Sequence, residues 1–192
     1  MANSLALDQL VTAEIPAAPT PPCERARALV NQHFDFLWRL LRRLGVPEAD
    51  VDDAAQQVFI VATRRLTEVP TGSERTFLYG TALRTAATIR RGMRRRRRWI
   101  ENVTVDAVSL EHTPHEALER RQALSLLDEV LSGLDDELRE VFVLCEIEEL
   151  SALQVAAIAK IPAGTVASRL RRARQAFAAR LARLKAQESM AP

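Results

Sequence analysis

The sequence predicts an all-α protein of two small helical bundles joined by a flexible linker, the C-terminal bundle containing a helix-turn-helix. Three observations lead there. Only six glycines occur in 192 residues, against many Ala, Leu, Arg and Glu, and alternating β-branched runs are few. Apolar residues recur at helical spacing along most of the chain, with breaks at Gly45, Pro70 to Gly72, Gly133 and Pro162. The third observation is the distribution of charge beneath a net value of only +2. From Glu24 to Arg98 there are sixteen Arg against eight acids, from Glu116 to Glu149 three Arg against eleven, and from Leu150 to Pro192 eight Lys and Arg against one. Two basic zones flanking an acidic one suit a polyanion gripped at two places.

The boundaries follow from composition. Residues 1–23 form a flexible leader, because IPAAPTPP favours extended polyproline-like backbone. Residues 24–98 form the first bundle, 99–115 a linker without helical period, 116–187 the second bundle and 188–192 a tail. No stretch reaches membrane-spanning length and no secretory signal opens the chain, so a cytoplasmic protein without membrane insertion is expected.

In the first bundle, Leu29, Val30, Phe34, Leu37, Trp38, Leu41 and Leu44 define an amphipathic helix over Glu24 to Leu44, ended by Gly45 and Pro47; its aromatic stripe reads as core. Glu48 to Leu66 is a second helix whose N-terminal end carries Asp50, Asp52 and Asp53, where carboxylates favour the helix dipole. Leu66 to Arg75 is a loop. Thr76 to Arg91 resumes a helix with Phe77, Leu78, Ala82, Leu83, Ala86 and Ile89 inside and Arg84, Arg90 and Arg91 outside. It runs into five consecutive arginines, Arg94 to Arg98, that no core can bury. Like-charge repulsion disfavours such a run in a free helix, and nucleic-acid backbone contact is the leading reading, with a solvated basic segment as the alternative.

The second bundle begins with a helix over Ala117 to Ser132, broken by Gly133. Another follows over Asp135 to Glu148, with Leu138, Val141, Phe142 and Leu144 inward. The stretch SALQVAAIAKIPAGTVASRLRRAR, Ser151 to Arg174, then reads as two helices around a tight turn. Ser151 and Gln154 form a capping box, and Leu153, Ala156, Ala157 and Ile158 give the first helix its buried face. Pro162 suits the start of the second, where Val166, Leu170, Ala173 and Phe177 face inward. Thr165, Ser168, Arg169, Arg171, Arg172 and Arg174 remain outside. Hydroxyls near a helix start and arginines further along fit a major groove, since guanidinium forks match guanine edges and phosphate oxygens. An amphipathic helix with a solvated basic face is the alternative.

Catalysis and metal chemistry find little support. Cys23 and Cys145 make no disulfide framework, and Cys145 lies in an apolar run as a small core residue. His112 and His115 form an H-x-x-H pair without companion ligands, and no paired carboxylates or His/Cys constellation stands out. No catalytic residue, metal or cofactor is expected.

The residues resemble the extracytoplasmic-function sigma factors of bacterial RNA polymerase. The segment from Leu131 through Arg174 looks like that family's region four: Leu131, Leu134 and Arg139 match its lead-in, and IPAGTVASRLRRAR, Ile161 to Arg174, its finish. DDAAQQVF, Asp52 to Phe59, is similar to the family's core-binding helix, and FLYGTALRTAATIRR, Phe77 to Arg91, to its promoter-recognition helix. The resemblance covers roughly Arg25 to Leu184. It departs from the family pattern at Phe77, Arg84 and Thr88, where the family has Trp, Asn and Asp, and at Ala167, where Lys or Arg is frequent.

The resemblance implies sites as well as a fold. Asp50, Asp53, Gln56 and Phe59 would dock on core RNA polymerase; Arg75, Tyr79, Arg84, Arg91, Arg94 and Arg95 would hold an opened strand of the downstream promoter element. Thr165, Ser168, Arg169, Arg171, Arg172 and Arg174 would read the upstream element as duplex. Promoter DNA and core polymerase are the implied partners, and the resemblance admits an anti-sigma factor beside them. The competing class is a free-standing helix-turn-helix regulator that binds palindromic duplex as a dimer, which needs a self-complementary helix face.

Overall fold

A computed structural model describes residues 22–100 and 125–190, all organised by helices α1 to α7 and one π-helical turn. The leader up to residue 21, residues 101–115 of the expected linker with its H-x-x-H pair, and the start of the helix expected at Ala117 lie outside the described residues, while Trp99 and Ile100, expected in the linker, belong to a helix.

Helix α1, Pro22–Arg43, starts on a proline whose fixed φ fits a first turn, two residues before the periodic apolar pattern begins. Its end is a Schellman turn: Gly45 N–H bonds Arg42 O at 2.9 Å, and Val46 N–H bonds Leu41 O at 3.0 Å. Gly45 supplies the left-handed backbone at φ 87°. Leu37, Leu40, Leu41 and Leu44 are buried, with Val46 packed beside them. Phe34 departs from the expected stripe, lying 41% exposed and stacked on Phe59.

Helix α2, Glu48–Arg64, buries Val51, Ala54, Ala55, Val58, Phe59 and Ala62 against α1 and α3. The following loop is held down by Arg25, whose guanidinium donates to Leu66 O, Val69 O and the Glu74 carboxylate. Helix α3, Glu74–Ile100, runs unbroken through the basic stretch. Arginine is a strong helix former, the exposed Arg94, Arg95 and Arg96 point their charges into solvent, and Arg94 also pairs with Asp136.

In the second bundle, α4 is described over residues 125–132 and ends at Gly133, beneath the Arg180 guanidinium. Helix α5, Asp136–Phe142, was expected to reach Glu148; instead it gives way to a π-helical turn, Val143–Ile147, closed by Glu149 at φ 56°. The widened turn lets Leu144 O and Val143 O accept from Leu150 and Glu148 N–H at 3.0 Å. Helix α6, Ala152–Ala159, and α7, Ala163–Met190, complete the bundle, with Phe142 stacked on Phe177 at 4.6 Å.

The two bundles are in contact. Buried side chains of both belong to one continuous core, and α6 lies against α3. Arg90, expected on the outside, is 6% exposed and pins the bundles together. Its guanidinium donates to Leu44 O of α1 and to the Glu140 carboxylate of α5, and its Nε lies 3.0 Å from Asp136. Arg139 reaches the other way, covering Gly45 in the turn after α1 while its Nε donates to Leu131 O at 2.7 Å.

Candidate nucleic-acid interface

The helix-turn-helix forms for the reasons legible in its residues. Ser151 Oγ accepts Gln154 N–H at 3.3 Å and Gln154 Oε1 accepts Ser151 N–H at 2.9 Å, so the capping box is complete. Lys160 turns the chain in the left-handed region at φ 57°, and Pro162 O accepts Thr165 N–H and Val166 N–H to begin α7. Val155, Val166 and Ala173 are fully buried between the helices. The expected inner face of α6 needs correction: Leu153 is 75% exposed and Ala157 is exposed as well, while Val155 is buried and Ala156 and Ile158 are half-buried. With the helix anchored by the 151–154 box, position 155 rather than 153 points at α7.

On α7, Thr165, Ser168, Arg169 and Arg172 share one face, with Arg171 and Arg174 beside it. Ser168, Arg171, Arg172 and Arg174 are exposed; Thr165 and Arg169 are half-buried. Ser168 Oγ donates to Thr165 O at 3.0 Å. Arg169 pairs with Glu137 at 2.6 Å, and Arg174 places Nε and Nη2 on one Glu146 oxygen. The more exposed of these, Arg174 to Glu146, is of the kind that holds weakly and exchanges readily for phosphate oxygens.

The basic face of the first bundle runs along α3. Arg84, Arg91, Arg94 and Arg95 are exposed on it, with Arg84 and Arg91 steadied by Thr81 and Thr88 hydroxyls. Arg75, at the start of α3, lies over the Phe36 ring at 4.5 Å and donates to Tyr79 Oη at 3.1 Å. Tyr79 is only 2% exposed, and its hydroxyl donates to Glu148 at 2.9 Å. Burial, followed by the Glu148 charge, pushes the Tyr79 pKa up to about 12. Beside these residues a cleft of about 420 Å³ is walled by Arg65, Phe77 and Arg84 of the first bundle and by Ala157, Ile158 and Lys160 of the second.

A third surface lies on α2. Asp50, Asp53 and Gln56 are exposed, while Phe59 is 7% exposed beneath the Phe34 ring. Ile60 and Val61 are exposed on the same helix, and Asp50 and Asp53 share a cleft with Arg96 of α3, so this acidic and apolar face borders the basic one.

Sequence reasoning missed the groups that join the bundles: Arg43, Arg90, Glu140 and Glu148. Glu148 has a side chain 6% exposed and accepts from Arg43 at 3.1 Å, Tyr79 at 2.9 Å and Arg75 at 3.3 Å. Burial raises the Glu140 pKa, against the opposing effect of Arg90, and burial with the neighbouring Arg90 charge lowers that of Arg139. One signal was available for Arg90: it continues the Leu83, Ala86 row along the inner side of α3.

Two family models match the chain, "Sigma-70 region 2" over residues 29–100 and "Sigma-70, region 4" over residues 124–177. An ECF RNA polymerase sigma factor, SigE, of Mycolicibacterium smegmatis is 33% identical over 150 residues, covering 77% of this chain and 58% of that protein. The ECF RNA polymerase sigma-E factor of Escherichia coli is 32% identical over 144 residues, covering 69% of this chain and 74% of its own length. Among solved structures, CnrH in complex with the cytosolic domain of CnrY is similar with a TM-score of 0.59 and 25% identity, over 82% of this chain and 87% of that one. The sigma factor RpoE in complex with the anti-sigma factor NepR from Bartonella quintana has a TM-score of 0.67 at 19% identity, over 82% of this chain and 97% of that one, a likeness of fold.

Proposed function

The chain belongs to the sigma-70 family, as a sigma factor of the extracytoplasmic-function type, and on that premise we propose that it directs core RNA polymerase to two-part promoters. The face of α2 carrying Asp50, Asp53, Gln56 and Phe59 docks on core polymerase. The exposed arginines of α3, with Arg75 and Tyr79, hold an opened strand of the downstream element. Thr165, Ser168, Arg169, Arg171, Arg172 and Arg174 read the upstream element in a duplex major groove. The protein contributes binding and no catalytic group.

The observation carrying this reading is the pair of separate basic faces, one on α3 and one on α7, set on opposite sides of an acidic segment. Each grip is individually weak, and polymerase joins them through effective concentration. The two solved structures named above are complexes, one of them with an anti-sigma factor, and a regulator of that kind is a further proposed partner.

The test is reconstitution. Purified core polymerase mixed with this protein is expected to start transcription at a discrete set of sites sharing a two-part motif upstream. Starts indistinguishable from those of core alone, with no complex on co-purification, overturn the reading.

A further inference from the structure

The acidic segment between the two basic zones does more than separate them. Six of its carboxylates are aimed at arginines: Asp128 at Arg42, Asp136 at Arg90 and Arg94, Glu137 at Arg169, Glu140 at Arg90, Glu146 at Arg174, and Glu148 at Arg43 and Arg75. Four of the six, Asp128, Asp136, Glu140 and Glu148, reach across to arginines of α1 and α3, and the other two hold arginines of α7. Glu148 is the most enclosed, and both its oxygens are engaged by first-bundle donors.

We propose that the Asp128 to Glu148 edge is an internal polyanion mimic, whose Glu148 carboxylate occupies the site that strand phosphate takes on Arg75 and Tyr79. In the isolated protein the bundles are closed on each other, and single-stranded DNA must displace Glu148 to bind. This rests on the strand-holding role of α3 proposed above.

Three features carry it. Arg75 and Tyr79 both donate to one Glu148 oxygen, Oε2, as they could to a single phosphate oxygen of an opened strand, while Arg43 holds the other oxygen, Oε1. The neighbouring cleft has the second bundle as its far wall, so a base entering beside Phe77 and Arg84 would share its site with Ala157, Ile158 and Lys160. At Gly80 the two bundles come close: a Cβ there would lie 3.9 Å from Ile158 O, in van der Waals contact with α6. Strand binding and bundle closure therefore compete for the same donors, and the apparent affinity falls by the fraction of molecules that are closed.

The experiment uses the full chain with Cys23→Ser and Cys145→Ser and dyes on Arg64→Cys and Lys185→Cys, both exposed positions, to read inter-bundle distance by energy transfer. A short fluorescein-labelled single-stranded oligonucleotide of mixed sequence, used without polymerase, reads strand affinity on the chain without dyes. Glu148→Gln keeps a hydrogen-bonding side chain of the same shape and loses the charge; Glu149→Gln, an exposed neighbour, is the control for bulk charge. The expected result is lower energy transfer and about tenfold tighter oligonucleotide binding for Glu148→Gln, with Glu149→Gln like wild type. Wild-type affinity should also fall less steeply with salt than that of Glu148→Gln, because salt loosens the internal pairs as well as the DNA contacts.

Energy transfer unchanged in Glu148→Gln, or an equal affinity gain in Glu149→Gln, overturns the proposal and leaves the polymerase reading standing. Lower transfer without tighter binding overturns the competition. Failure of both wild type and the opened variant to bind the oligonucleotide at low salt overturns the strand-holding role of α3 together with it.

Discussion

Arg139 fills the space that a side chain at Gly45 would need: a Cβ built there would fall 1.7 Å from Arg139 Nη1 and 3.0 Å from its Cζ. The glycine also sits at φ 87°, a left-handed conformation that a side chain strains. Gly45→Ala is therefore expected to cost about 2 kcal/mol, read as a lowered midpoint in thermal or urea unfolding. Gly92→Ala, in the exposed middle of α3 with no neighbouring atom within 4 Å, should raise stability by about 0.5–1 kcal/mol. A common direction for both would show that Arg139 does not use the space above Gly45.

Tyr79 is the single tyrosine of the chain, so phenolate absorbance reports it alone. Its folded pKa, raised to about 12 by burial and then by Glu148, lies above the value in an unfolded chain, which is about 10. The neutral phenol thus favours the folded state: its contribution is complete below about pH 10 and is lost as pH rises toward about 12. An absorbance titration should show a midpoint well above that in urea. Glu148→Gln should lower it, and a midpoint equal to that of the urea-unfolded chain would mean that Tyr79 is not enclosed.

Ser151→Ala removes one acceptor of the capping box while leaving Gln154 in place. The loss should be about 1 kcal/mol of stability, since one donor at the start of α6 returns to water. Hydrogen exchange at Gln154 and Val155 should speed up before that of α7 does. An unchanged unfolding midpoint would show that packing alone sets the start of α6.

Arg172 is exposed on the face of α7 that carries Ser168. Arg172→Ala should weaken binding to an upstream element by about 1–3 kcal/mol and relax choice at one base pair, if the guanidinium meets a guanine edge. A uniform loss on every duplex, with a shallower salt dependence, would mark it as a phosphate contact.

The helices themselves were legible. Apolar spacing found α1, α2, α3 and α7, and Ser151, Gln154 and Pro162 marked the helix-turn-helix to the residue. The failures have physical causes. Periodicity ranks residues by hydropathy, so Leu153 looked buried although the cap turned it outward, and Arg90 looked exposed although its partners Leu44 O and Glu140 come from other elements. The π-helical turn at Val143–Ile147 carries no composition different from an α-helix. Glu148 could not be found from the sequence at all, because its significance lies in Arg43, Arg75 and Tyr79, more than sixty residues away.

The Arg90 anchor bears on how such proteins can be recombined. Its guanidinium draws one acceptor from the α1 terminus and another from α5, so the first bundle carries a requirement that only the second can meet. A chimera grafting residues of the first bundle onto a foreign second bundle without an acid at the Glu140 position would leave a cation enclosed and unmatched. Interchange of promoter specificities by swapping whole bundles thus depends on transplanting Glu140 and Asp136 along with the reading helix.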